Sequence, residues 1–460
     1  MELSNDISEL KALVVQLLDR ISELEKENAQ LKARLNLNSS NSSKPPSTDG
    51  LKKKPAFPKG KNSNQGGQVG HEGKTLKTVA TPDRVVVIRP DKCLCGADIS
   101  AQSFRVLAKR QEFEIPEPKL EVTEFQTVEV VCPGCGKVHQ SEFPQGINAP
   151  AQYGVKAKAF VCLLSNEAKL SFEKTQTIFN DLFGYNINQS TIITANASCY
   201  ENLAQTERLI QENIVNSQTA HSDESGIRVN GKLHWLHVTS TALFTYLYIH
   251  PKRGKLAIES EKSILKHFFG WLVHDCWSSY FALTHLKHAV CGAHLLRELQ
   301  GLLENGSHWA DEFKKYLIET YHTPIETRKE RQNEIEQQYD QLLKKGFLQE
   351  PEPVKTGKKG KLKRTKGRNL LERLQKHKSA VLAFAFNEQV PFTNNQAERD
   401  VRPIKVKQKI SGSFRTETGA QHHARIAGFI STVRKNNLNV FKELCCAFKG
   451  YSFLIPSDAK

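Results

Sequence analysis

The segment HSDESGIRVNGKLHWLHV, from His221 to Val238, decides the fold. Asn230 and Gly231 lie between two runs of alternating apolar residues, and an Asn-Gly pair in this setting is the strongest short signal for a tight β-hairpin. Asp223 and Glu224 lie on the first predicted strand. A buried carboxylate is costly unless a metal ion, a partner or a reaction requires it. These acidic residues are therefore the first candidates for a functional site.

Further strands and helices follow the hairpin. LFTYLYIH (243–250) predicts a third strand, LAIESEKSILKHFF (256–269) a helix, and WLVHDCW (271–277) a short buried strand with Asp275 at its end. KHAVCGAHLLRELQGL (287–302) then predicts a strand that runs into a helix. This order matches a ribonuclease H-like arrangement, in which a carboxylate on the first strand lies beside one at the tip of the fourth.

A third acid lies far downstream. Two neighbouring carboxylates repel each other unless cations lie between them, and a pair of divalent ions about 4 Å apart is a common arrangement for phosphodiester chemistry. The segment NNQAERDVRPIKVKQK (394–409) places Asn394 and Asn395 as candidate caps, with Ala397, Val401 and Ile404 on one helical face. Glu398 lies beside that face. Its alternative role is an ion pair with Arg402, four residues on, on a solvated helix.

Composition narrows the class of protein. The chain has 460 residues, too many for one ordinary core, and 65 basic against 49 acidic residues give a net charge of +16. Such an excess favours a polyanionic partner, with nucleic acid ahead of an anionic membrane surface.

The longer apolar stretches, 243–249 and 380–386, fall far short of the roughly 20 residues that span a bilayer. The N-terminus lacks the pattern of a signal peptide. We therefore expect no membrane partner, and reduced cysteines.

The first 37 residues carry a heptad repeat. Leucines occupy positions 3, 10, 17, 24 and 31, and the positions four residues later are mostly β-branched, with Asn28 as the polar exception. This pattern favours a parallel two-stranded coiled coil, and hence a homodimer. The alternative is an amphipathic helix packed on its own domain.

Residues 38–78 are rich in Ser, Asn, Gly, Pro and Lys, which predicts a flexible basic linker, either a tether or a loose contact for phosphates.

Two cysteine pairs follow the linker. CLCG contains Cys93 and Cys95, and CPGCG contains Cys132 and Cys135, with strand-like sequence at 104–115 and 120–131 between them. Four thiolates that close a tetrahedral site predict a structural zinc ribbon. The first pair has only one residue between its ligands, and His139 could replace one thiolate. The alternative is two free cysteine pairs in a small β domain.

Residues 148–212 have helix-turn-helix spacing. A helix over 172–184 ends near Gly184, and a second helix covers 189–203. Given the basic charge, the start of the second helix is a candidate for DNA contact. The residues concerned are Gln189, Ser190, Thr191 and Thr194. Many helical hairpins bind nothing, so a purely structural role is the alternative.

Several motifs together carry a resemblance to a known family. They are Asp223 in HSDESG, Asp275 in HDCWSSY, CGAHLLREL (291–299), NNQAERDVRPIK (394–405), and NSSKPPS and GGQVGHEG in the linker. The chain resembles the DDE transposases of the insertion-sequence-66 family over nearly its whole length. The resemblance implies that Asp223, Asp275 and Glu398 form a triad that binds Mg²⁺ or Mn²⁺. Ser225 departs from the Thr more usual in the family, and Glu224 is expected on the opposite face of the strand.

The resemblance also implies a function. A metal-activated water would cut DNA at the element ends, and the freed 3′-hydroxyl would attack target DNA. The implied partners are terminal inverted repeats, target DNA, a second subunit and accessory transposition proteins, in a bacterial cytoplasm and near the nucleoid. Arg399, Arg402, Lys405, Lys407 and Lys409 would contact phosphates, unless they only form a solvated helix face. The alternative functions are a catalytically inactive DNA-binding regulator and a ribonuclease H-like nuclease without strand transfer.

Histidines and a cysteine near the acids are less specific. Cys291 and His294, with His288 upstream, have part of a metal-site spacing but lack a partner pair, so we expect structural support. His274 either orients water or fills the strand.

The predicted fold class is multidomain α+β, with a ribonuclease H-like α/β catalytic core that carries a helical insertion. The expected segments are a coiled-coil helix (1–37), the basic linker (38–78), a zinc-binding β module (79–147), a helical DNA-binding region (148–212), the first part of the core (213–300), a helical insertion with a Lys-rich loop (301–388), the last part of the core (389–435) and a C-terminal tail (436–460).

Overall fold

The computed structural model describes residues 7–42, 75–353 and 364–455, and the fold is mixed α and β. Helix α1 (Ile7–Leu35) occupies the heptad region. The apolar side chains of the heptad, such as Val14, Leu17 and Ile21, are exposed in the single chain. The first residues of the predicted linker form a turn, in which the Asn41 side-chain amide donates to the carboxylate of Glu304 at 2.5 Å. Asn41 is buried there. Residues 43–74 of the linker lie outside the described residues.

The cysteine-containing region has little regular structure. Strands β1 (Glu129–Val131) and β2 (Val138–Gln140) form a short antiparallel hairpin. The strand predicted at 104–115 does not form, and only the last three residues of that predicted at 120–131 do so, as β1. Apolar side chains of these segments, including Phe104 and Ile115, are exposed, whereas Leu120 is partly buried. An alternating pattern forms a strand only when a ladder partner and a buried face are available, and these residues have neither in the single chain.

The helical region begins with α2 (Val155–Cys162), which continues into a π-helical turn at Leu163–Glu167. It then contains α3 (Phe172–Phe183), α4 (Gln189–Asn202) and α5 (Ala204–Val215). Helix α3 ends at Gly184, whose φ of 71° lies in the left-handed region that favours glycine. Helix α4 begins after Asn188, whose side chain accepts from the backbone N–H of Ser190. Both boundaries agree with the sequence prediction.

A five-stranded mixed sheet lies at the centre of the molecule. Its strands are β3 (Thr219–Val229), β4 (Lys232–Ser240), β5 (Thr245–His250), β6 (Trp271–His274) and β7 (Lys287–Val290). The spatial order is β5-β4-β3-β6-β7, with the first three strands antiparallel and β3, β6 and β7 parallel. Asn230 and Gly231 both have positive φ, 48° and 71°, as a two-residue turn of the predicted type requires.

The connection from β5 to β6 differs from the prediction. A helix was expected over 256–269, but only α6 (Lys255–Ile258) and a 3₁₀ turn at Leu265–His267 form. Two tyrosines of β5 bond this segment to the sheet, because the hydroxyl of Tyr248 donates to the carbonyl of Ala257 and that of Tyr246 donates to the carbonyl of Lys262. The Ala257 carbonyl also accepts from the backbone N–H and the hydroxyl of Ser260, in a turn that ends α6. The short helix α7 (Ser278–Phe281) follows β6.

An all-helical segment is inserted between β7 and the last part of the core. It comprises α8 (Gly292–Leu303), α9 (Trp309–His322), α10 (Ile325–Glu330), α11 (Gln332–Gln349), α12 (Lys366–Lys376), α13 (Lys378–Val381) and α14 (Ala383–Phe386). Trp309, Phe313 and Tyr339 lie in its core, which is continuous with apolar residues of β6 and β7 such as Val273 and Val290. The Lys-rich run at 354–363 lies outside the described residues. Within the described part of the chain, no helix is long and apolar enough to cross a membrane.

The chain then returns to the sheet with α15 (Asn395–Ser411), α16 (Glu417–Lys435) and α17 (Val440–Phe448). Ala397, Val401 and Ile404 of α15 pack against apolar residues of β3, β4 and β5, as the helical pattern predicts. The opposite face of the sheet is covered by α5 and by the segment 258–286. Helix α17 lies within the predicted C-terminal tail and packs on α2, α4 and α16.

Candidate functional site

The parallel register of the sheet places two acids side by side. In the β3/β6 pair, Thr219 lies opposite Trp271 and His221 opposite Val273. Two residues further along the chain are Asp223, which is still within β3, and Asp275, which directly follows the last residue of β6. The charge of Asp275 contributes to the raised pKa of Asp223, so the two carboxylates are neighbours.

The surroundings of these two acids suit a divalent cation. Burial, followed by the negative charges of Glu224 and Asp275, raises the pKa of Asp223 to about 7. The backbone N–H of Glu224 donates to Asp223 Oδ1 at 2.9 Å, and that of Trp277 donates to Asp275 Oδ1 at 3.1 Å. Carboxylates crowded in this way repel one another unless a cation lies between them, and carboxylate oxygens are the ligands that Mg²⁺ and Mn²⁺ prefer. The donor set therefore fits these ions.

Glu224 has its own partners. Its carboxylate accepts a hydrogen bond from the hydroxyl of Tyr280 and another from Nε of Arg253, both at 2.7 Å. The Arg253 guanidinium lies over the ring of Trp277 at 4.3 Å and over that of Trp235 at 5.0 Å. Burial and the charge of Asp275 raise the pKa of Glu224. Glu224 thus anchors the segment after β6, which also carries Asp275.

Asn394 connects the segments that carry the acids. Its side-chain Nδ2 donates to the carbonyl oxygen of Ser222 at 2.7 Å, and its Oδ1 accepts from Nδ1 of His221 at 2.9 Å. Its backbone N–H donates to the Cys291 sulfur at 3.1 Å. The residue is almost fully buried. Asn394 therefore fastens the start of α15, one turn before Glu398, to the strand of Asp223 and to the start of α8.

Glu398 lies among three positively charged or ionisable groups. Its Oε1 is 3.5 Å from Nη2 of Arg297 and 3.7 Å from Nδ1 of His294, and its Oε2 is 3.9 Å from Nη2 of Arg402. Burial lowers the pKa of His294, but the nearby Cys291 and Glu398 outweigh it and raise the value to about 9. Glu398 and Arg402 do form the ion pair that was the alternative role of Glu398, but its N–O distance is long and Arg402 is largely exposed. Such a pair contributes little to stability.

The three acids do not form a closed cage in the structure. Among the described residues, one group of three His, Cys, Asp or Glu side chains has its ligand atoms within 4.8 Å of one another, and it consists of Cys291, His294 and Glu398. The charges of Asp275 and His294 both act on the pKa of Asp223, and His294 in turn lies 3.7 Å from Glu398. Among the described residues, the carboxylates of Asp223, Asp275 and Glu398 are not all within 4.8 Å of one another.

His274, for which two roles were open, fills the strand. The side chain is fully buried, and burial lowers its pKa to about 3, so the ring is neutral. Its Nε2 lies 3.0 Å from Nδ1 of His288, and its ring packs against Tyr280 and Phe281. This histidine is a packing residue with no face toward solvent.

The cysteine pairs form two separate half-sites. The backbone N–H of Ala97 and the Cys93 side chain lower the pKa of Cys95, and the amides of Gly134 and Cys135 lower that of Cys132. Amide donors of this kind are suited to thiolate ligands. The four sulfurs, however, are not within 4.8 Å of one another in the described structure. Each pair offers two thiols, and the described structure does not bring three of the four sulfurs within 4.8 Å of one another.

The predicted DNA contacts divide into accessible and inaccessible residues. At the start of α4, Ser190 and Thr194 are exposed, and Gln189 and Thr191 are partly exposed. On α15, Arg399, Arg402, Lys405 and Lys409 are exposed. Lys407 is the exception, because it is buried and its ammonium group donates to the carbonyls of Leu170 and Ser165 at 2.7 and 3.1 Å. A phosphate contact by Lys407 does not agree with this geometry, because its donors are already satisfied inside the protein.

Several residues of the site were not identified from the sequence. Arg253 comes from a segment without a motif, whereas Tyr280 and Arg297 lie within the quoted motifs HDCWSSY and CGAHLLREL but were given no role there. The folded chain brings these side chains to the acids. Asn394 was identified only as a helix cap. The spacing of Cys291 and His294 at a strand-to-helix junction is that of half a metal site, and this was a signal in the sequence. Glu398, the third member of their cluster, lies about a hundred residues downstream.

Comparison with known families agrees with this site. Residues 150–422, more than half of the chain, match the family described as Transposase IS66 family. Residues 2–77 match a family of unknown function (DUF6444). No curated protein matches the chain. The matched region contains the sheet, the helical insertion and all three acids. The chain belongs to the IS66 family of transposases.

Proposed function

We propose that this protein is a DDE transposase that cuts DNA at the ends of its element and joins the cut ends to target DNA. The observation that carries the proposal is the parallel β3/β6 pairing, because Asp223 and Asp275 each lie two residues beyond the paired His221 and Val273, Asp223 within β3 and Asp275 directly after β6. Glu398 is the third acid, and Asn394 ties its helix to the strand of Asp223.

The catalytic core is proposed to be ribonuclease H-like. Three antiparallel strands are followed by two strands parallel to the first, in the order β5-β4-β3-β6-β7. The insertion between β7 and α15 separates the third acid from the first two in sequence. Asp223 lies on the central strand and Glu398 on a helix packed against it, and such rigid elements hold catalytic groups accurately.

Asp223, Asp275 and Glu398 are the residues that would hold Mg²⁺ or Mn²⁺. The bound ions would supply Lewis-acid activation of a water or hydroxyl nucleophile and stabilisation of the leaving oxygen. The chain itself fixes the two aspartates through the amides of Glu224 and Trp277. Beside the two aspartates, the carboxylate of Glu224 accepts hydrogen bonds from the Tyr280 hydroxyl and from Arg253. The positive charge of Arg253 compensates the negative charge of Glu224.

DNA is the proposed substrate on chemical grounds as well. The exposed Arg399, Arg402 and Lys409 of α15 follow Glu398 along the same helix, so a phosphate backbone at the acids would also meet them. Lys405 donates to the carbonyl of Gly226 at 2.7 Å, so its contact would require that bond to open. The exposed start of α4 is the proposed site for reading sequence.

Two further assemblies are proposed. The exposed heptad face of α1 would pair with that of a second subunit, because its apolar side chains have no cover in the single chain. Zinc would bind Cys93, Cys95, Cys132 and Cys135 by bringing the two cysteine pairs together, with His139 as a replacement ligand for one thiolate.

Light scattering tests the dimer by comparing the full chain with a chain that lacks residues 1–42. The full chain should be dimeric, and the shortened chain should contain fewer subunits. Accessory transposition proteins are further expected partners.

The function is tested with labelled element-end DNA and purified protein in Mg²⁺ or Mn²⁺. Asp223→Asn, Asp275→Asn and Glu398→Gln should each abolish nicking and joining while DNA binding is retained. Glu259→Gln, an exposed glutamate paired with Lys255, is the matched control and should stay active. Equal activity in the wild type and all three acid variants would place the chemistry elsewhere. DNA binding without cleavage in any form, the wild type included, would favour a DNA-binding regulator.

A further inference from the structure

A thiol, an imidazole and a carboxylate converge between the starts of two helices. Cys291 is the N-cap of α8, His294 lies in the first turn of α8, and Glu398 lies in the first turn of α15. One ligand atom of each lies within 4.8 Å of the others. The backbone hydrogen bonds from Asn394 to Cys291 and from Gly292 to Phe392 lock the two helix starts together. The group is therefore held by rigid elements.

His294 lacks a partner for one ring nitrogen. Its Nδ1 is buried and has no hydrogen-bond partner, and it points toward Glu398 Oε1 at 3.7 Å. A buried polar atom without a partner is costly and rare in folded proteins. A bound cation that displaces the ring proton would supply that missing partner, and a separation of 3.7 Å between two ligand atoms leaves room for one ion between them.

The sulfur of Cys291 is held in a fixed position. The backbone N–H of Asn394 donates to Sγ, and the residue is the N-cap of a 12-residue helix. Metals bind cysteine as the thiolate, so a metal ion bound here would displace the thiol proton. A set of one thiolate, one imidazole and one carboxylate suits Zn²⁺ and related ions, whereas Mg²⁺ prefers oxygen ligands alone.

We propose that Cys291, His294 and Glu398 form a binding site for a thiolate-accepting divalent transition ion, with Zn²⁺ as the first candidate. The site shares Glu398 with the proposed catalytic triad. Arg297 and Arg402, at 3.5 and 3.9 Å from Glu398, form ion pairs longer than strong charge-assisted bonds, and these are the contacts that a metal ion would replace.

The proposed site has a consequence for activity, and this consequence rests on the proposed function. An ion held by Cys291, His294 and Glu398 engages the carboxylate that the catalytic metals also require. Zn²⁺ should therefore inhibit Mg²⁺-dependent cleavage.

The test uses cobalt as a spectroscopic probe of thiolate ligation. The full chain carries serine in place of Cys93, Cys95, Cys132 and Cys135, so that the proposed zinc ribbon contributes no signal. Titration with Co²⁺ should produce a thiolate-to-cobalt charge-transfer band with one equivalent of metal, and Zn²⁺ should displace it. Cys291→Ser should remove the band, and His294→Ala should weaken binding. Cys276→Ser, which removes a neighbouring half-buried thiol outside the cluster, should leave the band unchanged.

Two results would overturn the site. One is the absence of a thiolate band in the folded protein, and the other is a band that survives Cys291→Ser. If the fourfold serine variant does not fold, the zinc content of the dialysed native chain decides the question. Cys291→Ser should then lower it by one equivalent per chain, and equal zinc content in both proteins would refute the site.

A failure of this site and a failure of the proposed function are distinguishable. The cobalt titration needs no DNA, and Asp223→Asn should keep the band because Asp223 is outside the cluster. A band without any cleavage would support the site and contradict the transposase chemistry. Cleavage that depends on Asp223, without a band, would support the chemistry and contradict the site.

Discussion

The side-chain amide of Asn394 donates a hydrogen bond to the carbonyl oxygen of Ser222 at 2.7 Å. Ser222 directly precedes Asp223, and Asn394 precedes Glu398 by one helical turn. A single side chain thus links two acids that are 175 residues apart in sequence. Because His221 donates to the Oδ1 of the same amide, the orientation of Asn394 is fixed at both of its polar ends.

Asn394→Ala should lower both stability and activity. The substitution leaves the Ser222 carbonyl and the His221 ring nitrogen unpaired in the core, and each unpaired buried group costs about 1–3 kcal/mol. The free energy of unfolding, measured with urea, should fall by a few kcal/mol. Metal-dependent cleavage should require a higher Mg²⁺ concentration, because Glu398 is no longer held against the strand of Asp223.

Asn395→Ala is the matched control, since Asn395 is the exposed neighbour on the same helix turn. It should change the free energy of unfolding by less than about 0.5 kcal/mol. Equal effects of the two substitutions would show that Asn394 does not have the linking role.

Stability should depend on pH through Asp223. Its pKa is raised from 3.8 to about 7 in the folded state, so the unfolded chain releases this proton first as pH rises. The free energy of unfolding should therefore fall between about pH 4 and pH 7, and each unit of pKa difference contributes ~1.4 kcal/mol. In Mg²⁺-free buffer, the wild type should lose stability relative to Asp223→Asn between pH 5 and pH 8.

Titrating groups that do not interact with Asp223 cancel in this comparison, because both proteins carry them. Added Mg²⁺ should restore the stability of the wild type at pH 8, since the ion binds the deprotonated carboxylate, and should affect Asp223→Asn less. A constant difference between the two proteins from pH 5 to pH 8 would show that Asp223 titrates as an ordinary exposed acid.

Two lysines of α15 should differ in their effect on DNA binding. Removal of one phosphate contact lowers the slope of log affinity against log salt by about 1. Lys409→Ala should show this reduction, because Lys409 is exposed. Lys407→Met should leave the slope unchanged, because the Lys407 ammonium is bonded to protein carbonyls and burial lowers its pKa to about 8. A reduced slope in Lys407→Met alone would reverse this assignment.

Removal of zinc should loosen the region from 90 to 140. If metal joins the two cysteine pairs, a chelator separates them, and the exposed apolar side chains around them have no core of their own. Limited proteolysis of the full chain, read by mass spectrometry, should then show new cuts within 90–140. Cuts between 155 and 353 serve as the internal control and should not change. An identical pattern after complete metal removal would exclude a structural metal there.

Elements with a local signal were predicted well from the sequence. The hairpin at Asn230 and Gly231, the strand before Asp275, and the helix boundaries at Gly184 and Asn188 all occur where turn and cap chemistry place them. The apolar face of α15 was also predicted, because Ala397, Val401 and Ile404 repeat with the helical period. These features depend on residues near one another in the chain.

Elements that depend on distant partners were predicted poorly. The segment 256–269, expected to be one helix, is bonded to the sheet by tyrosine hydroxyls from β5, and of the strands expected at 104–115 and 120–131 only 129–131 finds a partner in the single chain. Lys407 resembles its exposed neighbours in sequence, yet the carbonyls that bind its ammonium belong to residues 165 and 170. Periodicity contains no information about such contacts.

The role of Asp223 as a metal ligand is the central claim, and metal substitution at a cysteine variant tests it most directly. Asp223→Cys should lose cleavage of element-end DNA at least about 1,000-fold in Mg²⁺. It should regain a measurable part of that activity in Mn²⁺, which accepts a sulfur ligand more readily than Mg²⁺ does. Asp223→Asn should stay inactive in both ions. Activity of Asp223→Cys equal to that of the wild type in Mg²⁺ would contradict the account.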